Sequence, residues 1–207
     1  DYDQYIDTSR GIEFPRWFVG GELNWVDTVL RWSEHPDTAN RPAIIAEREQ
    51  IPAVSVTYAE LRKRVRDFAA GLARQGIRRG DRVGLLSENG LEANVALLGI
   101  SYLGAIVVPL FSGFGVDAIV ARLGSCEART LIASTGFSRR GQFVDARAIV
   151  ETARQQLPSL EFIIWKHSPE GPDLQPGDIS YADIASANGD GLASARMSPD
   201  DPFMVIY

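Results

Sequence analysis

Two stretches of this chain combine residue types suited to holding a ligand. Phe111-Ser112-Gly113-Phe114-Gly115 sets glycines between aromatic residues, so backbone can approach a flat ligand closely. The helix expected to begin just after it presents an N-terminus, which favours anions. By itself a Gly-x-Gly pair does not establish a binding role. Arg139-Arg140-Gly141 places two guanidiniums side by side. They could grip a phosphate through charge-assisted hydrogen bonds, or simply solvate a loop.

Other chemistries lack their residues. No Gly-rich loop followed by Lys and Ser or Thr is present, so the usual phosphate cradle is missing. The lysines, Lys63 and Lys166, do not follow a glycine turn. His35 and His167 sit in polar loops and make no metal set with Cys126. Cys126 falls near the end of a predicted helix, where the dipole does not lower a thiol pKa, and it reads as a small core residue. Asp200 and Asp201 read as a turn or cap.

The elements that must carry these residues follow from periodicity. Residues 1–24 are irregular and aromatic, a segment expected to wrap a domain, and the whole of 1–40 is read as that wrapping unit. Asn24 to Trp32 can form a short helix, Pro36 and Pro42 bracket a loop, and Ala43 to Ala46 reads as a strand. Thr57-Tyr58-Ala59-Glu60 has the form of a capping box. Leu61, Val65, Phe68 and Leu72 then form one apolar stripe, with Arg62, Lys63, Arg64 and Arg66 on a solvated face, and Gly76 ends the helix. Gly80-Asp81 turns into a strand over Arg82 to Leu86. A helix from Gly90 to Leu103 delivers a strand over Ala105 to Leu110. Val116–Leu123 and Asp145–Leu157 read as helices, Thr130–Ser134 and Phe162–Trp165 as strands. This alternation predicts right-handed β-α-β crossovers in an α/β fold: a doubly wound, mostly parallel sheet with helices on both faces, over residues 41–167. Loops after parallel strands emerge at one edge, where ligands bind, so Phe111–Gly115 and Arg139–Gly141 should share it. Residues 168–202 shift to Pro, Gly, Asp and Ser and read as a connection with one short helix near Ala182 to Ala187. Phe203 to Tyr207 reads as a further buried strand, the first of a remainder not included.

Composition narrows the class. The 207 residues are 45% hydrophobic and 23% charged, ordinary for a globular protein. A net charge of −6 argues against nucleic acid as a partner. One cysteine suits a reducing, cytoplasmic setting. The apolar run from Val95 to Phe111 is too short to span a bilayer and is interrupted by Gly99, Gly104 and Pro109, so no membrane partner is expected.

Several segments together resemble the amino-terminal part of the adenylate-forming synthetases. They are Val56-Thr57-Tyr58-Ala59-Glu60-Leu61, Gly80-Asp81-Arg82-Val83, and Gly104-Ala105 through Pro109. Trp17-Phe18-Val19-Gly20-Gly21-Glu22-Leu23-Asn24 is similar to the opening motif of the acetyl- and propionyl-CoA synthetase branch. Phe111–Gly115 is similar to its Phe-x-Gly-Phe-Ser, with Gly115 where that branch has Ser. The resemblance implies an incomplete part of the large N-terminal domain of an acyl-CoA synthetase. Such an enzyme joins a carboxylate to ATP, with Mg²⁺ assisting, as an acyl-adenylate and pyrophosphate; the thiol of CoA then displaces AMP. It further implies that Phe111, Ser112 and Gly113 lie beside the CoA adenine and that Arg139 and Arg140 meet its phosphate. The branch has Arg-Gly-Gly-Arg where this chain has Arg139-Arg140-Gly141-Gln142. The family's phosphate loop, acyl pocket and catalytic lysine belong to later sequence, so these residues alone are not expected to form an adenylate, nor to hold CoA or ATP tightly. Two other readings remain open: a Rossmann-like nucleotide-binding module, and a non-catalytic interaction domain that self-associates through an exposed surface.

Overall fold

The computed structural model describes residues 1–48, 51–139 and 142–207. The leader is not irregular. It forms an antiparallel hairpin of β1 (Gln4–Asp7) and β2 (Arg16–Val19), with the Tyr5 ring edge-on to Trp17 at 5.6 Å and to Phe18 at 5.2 Å. Cross-strand aromatic pairs hold two strands too short to show an alternating pattern. Helix α1 (Trp25–Leu30) and a 3-10 turn follow. Where a loop was expected, α2 (Pro36–Ala39) forms one turn, because Pro36 suits the first helical position and His35 Nδ1 accepts the Asp37 N–H at 3.3 Å. The next predicted strand is half of a second antiparallel hairpin, β3 (Pro42–Arg48) with β4 (Ile51–Thr57).

The capping box is formed at the start of α3 (Tyr58–Arg74). Thr57 Oγ1 accepts the Glu60 N–H at 3.2 Å and the Glu60 carboxylate accepts the Thr57 N–H at 2.8 Å. The reciprocal bonds satisfy two of the helix's orphan donors and hold the Glu60 carboxyl below its usual range. Gly76, at φ +86°, closes the other end in the left-handed conformation that glycine tolerates, while the Ile77 N–H reaches back to the Leu72 carbonyl at 3.2 Å.

The sheet-forming half then runs β5 (Arg82–Leu86), α4 (Leu91–Tyr102), β6 (Ile106–Leu110), α5 (Val116–Ser125) and β7 (Thr130–Ser134). It continues through a hairpin, β8 (Phe137–Arg139) and β9 (Gln142–Val144), then α6 (Ala146–Arg154), β10 (Phe162–Lys166), β11 (Ile179–Ser180) and α7 (Tyr181–Ala185). Five strands pair in the order β6-β5-β7-β10-β11, every neighbour parallel. The chain leaves β5 for one side of the sheet, then returns to lay down β7 on the other. That is the 2-1-3-4-5 order of doubly wound sheets, with its switch point at β5.

Alternation along the strands sends side chains to two cores. Val83, Leu85, Val107, Ile132 and Ile164 join Phe68, Val95 and Ile184 on the face covered by α3, α4 and α7. Leu86, Leu131, Ile163 and Trp165 join Ile119, Leu123 and Val150 on the face covered by α5 and α6. Helices therefore flank both faces, as predicted. Residues 203–207 do not form the buried strand expected of them. The Val107 N–H donates to the Phe203 carbonyl and the Val205 N–H to the Val107 carbonyl, both at 2.9 Å, so the segment runs parallel along the outer edge of β6 with one bridge, Met204 to Val107. Met204 and Val205 rest partly buried against the two cores, while Phe203, Ile206 and Tyr207 are exposed, so the segment is not the buried strand expected. No helix among the described residues is long and apolar enough to cross a membrane.

Candidate functional site

β6 and β7 lie on either side of β5, and parallel pairing points their carboxyl ends the same way. The loops that follow them emerge from one edge, two strand spacings or about 10 Å apart. The structure thus brings Phe111–Gly115 and the Arg139–Gln142 hairpin to a common edge.

The first loop is a tight turn. The Phe114 N–H donates to the Phe111 carbonyl at 2.9 Å, and the two rings meet nearly edge-to-face at 5.8 Å and 75°. Phe111 is 56% exposed, whereas Phe114 is half-buried and packs against the α5–α6 core. The guanidinium of Arg122, two turns along α5, lies 4.1 Å from the centre of the Phe114 ring. Ser112 is half-buried and Gly113 exposed. Gly115 caps α5 without a side-chain bond, and open space surrounds the position of a β-carbon there. A serine, as the acetyl-CoA synthetase branch has, would fit. The unpaired N–H groups of the first turn of α5 open on the same edge.

The second segment is the β8–β9 hairpin, a structure periodicity did not reveal. Arg139 pairs with Gln142 across it; Arg140 and Gly141 lie outside the described residues, so the expectation of a paired-guanidinium grip falls there. The hairpin's base is firmly held. Thr135 donates its N–H to the Lys166 carbonyl at 2.9 Å, accepts the Ser168 N–H at 3.0 Å on its hydroxyl, and accepts the Arg147 N–H on its carbonyl at 3.0 Å. Gly136 allows the Phe143 ring to cross the hairpin entrance, since a β-carbon there would sit 2.2 Å from it. Beneath, the buried Arg147 guanidinium grips Asp178 through two bonds of 2.7 and 3.0 Å and lies 4.8 Å from the Trp165 ring centre. The Arg147 hydrogen bond outweighs partial desolvation and holds the Asp178 carboxyl below its usual range.

Between the two loops, sequence reasoning missed the switch point. Ser87 follows β5, and its hydroxyl lies 3.1 Å from that of the fully buried Ser134 at the end of β7. Ser87–Gly90 then leads into α4. Only strand order marks this place, and strand order is not written in periodicity. Asn24, last residue of the Trp17–Asn24 motif, is structural. Its Nδ2 donates to the carbonyls of Ser101, Tyr102 and Ala195 at 3.0–3.2 Å, and its Oδ1 accepts the Val26 N–H at the start of α1. Asp201 folds a turn, accepting the Ser198 N–H at 2.7 Å and pairing with Arg79 at 2.6 Å. Cys126 is half-buried at the end of α5, its thiol on the Arg122 carbonyl. Among the described residues no three His, Cys, Asp or Glu side chains converge to hold a metal ion.

The family model described as AMP-binding enzyme matches residues 32–207. The chain belongs to the AMP-binding enzyme family. An acetyl-coenzyme A synthetase of Methanothrix soehngenii is 27% identical over 212 aligned residues, covering 100% of this chain and 31% of that protein. An acetoacetyl-CoA synthetase of Danio rerio is 28% identical, with 97% of this chain and 29% of that protein covered. Among solved structures, acetoacetyl-CoA synthetase from Streptomyces lividans superposes on the whole chain with a TM-score of 0.90 at 28% identity, over 31% of its own length. The AMP-binding fold seen here is therefore that of the N-terminal part of an acyl-CoA synthetase, as the motifs implied. The chain spans about three-tenths of the length of the curated relatives it matches.

Proposed function

We propose that these residues are the N-terminal portion of an AMP-forming acyl-CoA synthetase, which joins ATP, a carboxylate and CoA to give acyl-CoA, AMP and pyrophosphate. In this reading Phe111, Ser112 and Gly113 face the adenine of CoA, and the Arg139–Gln142 turn meets its phosphate. The observation that carries it is the end-to-end likeness, at a TM-score of 0.90, to one stretch of a CoA-forming ligase. The exposed Phe111 ring and the open helix start beside it suit a flat, anionic ligand. ATP and its Mg²⁺ are substrates of the parent enzyme, handled by sequence outside these residues, and the parent works in the cytoplasm. The 207 residues alone form no adenylate. They self-associate in isolation through exposed apolar side chains such as Phe203, Ile206 and Tyr207.

Carboxylate-dependent ATP–pyrophosphate exchange tests the first part. No exchange is expected from the 207-residue chain, and exchange from a chain extended past Tyr207. Turnover by the short chain would overturn the reading.

A further inference from the structure

The two phenylalanines of the Phe111–Gly115 loop are not equivalent. Phe111 is the more exposed, at 56%; Phe114 is half-buried between Phe111, the α5–α6 core and the guanidinium of Arg122. Arg122 is itself unusual for a half-buried arginine: among the described residues no carboxylate pairs with it. One Nη donates to the Ala118 carbonyl at 3.0 Å, one turn back along α5. The flat cation stands 4.1 Å from the Phe114 ring centre and 5.8 Å from that of Tyr207. The Tyr207 hydroxyl donates to the Arg122 carbonyl at 3.0 Å and also meets the Ser125 hydroxyl. A guanidinium is weakly hydrated and planar, so it stacks on aromatic faces where an ammonium would stay solvated.

We infer that Arg122 is a positioning residue for the nucleotide of CoA: by stacking on Phe114 it locks the turn that presents Phe111 to the ligand. The inference rests on the proposal that this loop meets CoA. The chain of contact is direct. Arg122 covers one side of the Phe114 ring, Phe114 braces the edge of Phe111, and a 2.9 Å backbone bond closes the turn between them. Without the guanidinium the Phe114 ring loses its cover, and Phe111 loses the surface that fixes its angle. Arg122 touches no substrate in this scheme; it acts through the loop.

The test is a double-mutant cycle read by calorimetric titration of CoA into the chain extended past Tyr207. Arg122→Gln is expected to weaken CoA binding about fivefold, the scale of one partly desolvated cation–π contact. Arg122→Lys should recover part of that loss. Phe111→Ala should weaken binding by a similar factor, and adding Arg122→Gln to it should weaken binding no further, because the route from Arg122 to the ligand is already cut. A merely structural role would leave the arginine's effect intact in the Phe111→Ala background. That result would overturn the inference, as would unchanged binding by Arg122→Gln. Wild-type chain that fails to bind CoA, or binds it indifferently to Phe111→Ala, would overturn the proposed CoA surface and this inference with it. Melting temperatures of every variant within a few degrees of wild type separate affinity from unfolding.

Discussion

At the scale of single residues, Asn24 carries the heaviest structural duty in the segments that resemble the synthetases. One buried amide caps α1 and collects three carbonyls from two other parts of the chain. Asn24→Ala removes the cap and the donor to the Ala195 carbonyl, while the Ser101 and Tyr102 carbonyls keep the Gly104 and Ala195 N–H groups, so urea unfolding should show a loss of about 1–2 kcal/mol. Asn24→Asp should be no better, because a carboxylate can replace the Oδ1 cap but repels the three carbonyls. Asp178 offers a pH-dependent test. Its folded pKa is lowered by the Arg147 hydrogen bonds, so its contribution is present above the ordinary carboxylate pKa and lost as pH falls through the depressed value. Asp178→Asn should cost about 2 kcal/mol near neutral pH. It should also flatten the stability profile on the acid side, below the ordinary carboxylate pKa, measured by chemical denaturation at each pH. An unchanged acid slope would show that the pair does not couple to folding.

At the scale of elements, α5 shows which local rules the chain obeys and where it departs from them. It starts at a glycine that offers no side-chain cap and stops in a left-handed turn at Glu127, φ +51°, where glycine is the usual choice. The Ala128 N–H still reaches the Leu123 carbonyl at 2.9 Å, so the capping bond forms on a residue poorly suited to it. Glu127→Gly should raise stability by about 1 kcal/mol by relieving that conformation. Gly115→Ser should add a few tenths of a kcal/mol, since a β-carbon meets only open space and a hydroxyl can cap the first turn. Thermal melts of both variants check these signs. α3 was legible in full, because a capping box, a four-three-four apolar stripe and a terminal glycine all lie within one segment. The hairpins β1–β2, β3–β4 and β8–β9 were not read as hairpins. Their strands run from three to seven residues, and each is defined by the partner opposite rather than by its own pattern.

At the scale of the whole molecule, the five parallel strands make one edge of the sheet chemically different from the other. The edge reached by the strand ends gathers two loops, two helix starts and the Ser87–Ser134 contact. Beside β6, residues 203–207 hold on by two backbone bonds and leave Ile206 75% exposed. If that surface drives self-association, sedimentation of the 207-residue chain should depend on concentration, and Ile206→Glu should return it to a monomer. Concentration-independent sedimentation of the unaltered chain would remove the idea.

The residue pattern by itself determined the α/β class, the succession of sheet strands and helices from Arg82 to Trp165 apart from the β8–β9 hairpin, and the family, because these depend on local periodicity and short motifs. It also placed the Phe111 and Arg139 segments after strands, hence at one edge. Tertiary structure alone decided the 2-1-3-4-5 order and the Ser87–Ser134 junction. It likewise decided the separate duties of Phe111 and Phe114 and the meeting of Arg122 with both Phe114 and Tyr207. The physical reason is common to all of these. Strand neighbours and ring contacts join residues far apart in sequence, and their energies exist only once packing has chosen which faces meet.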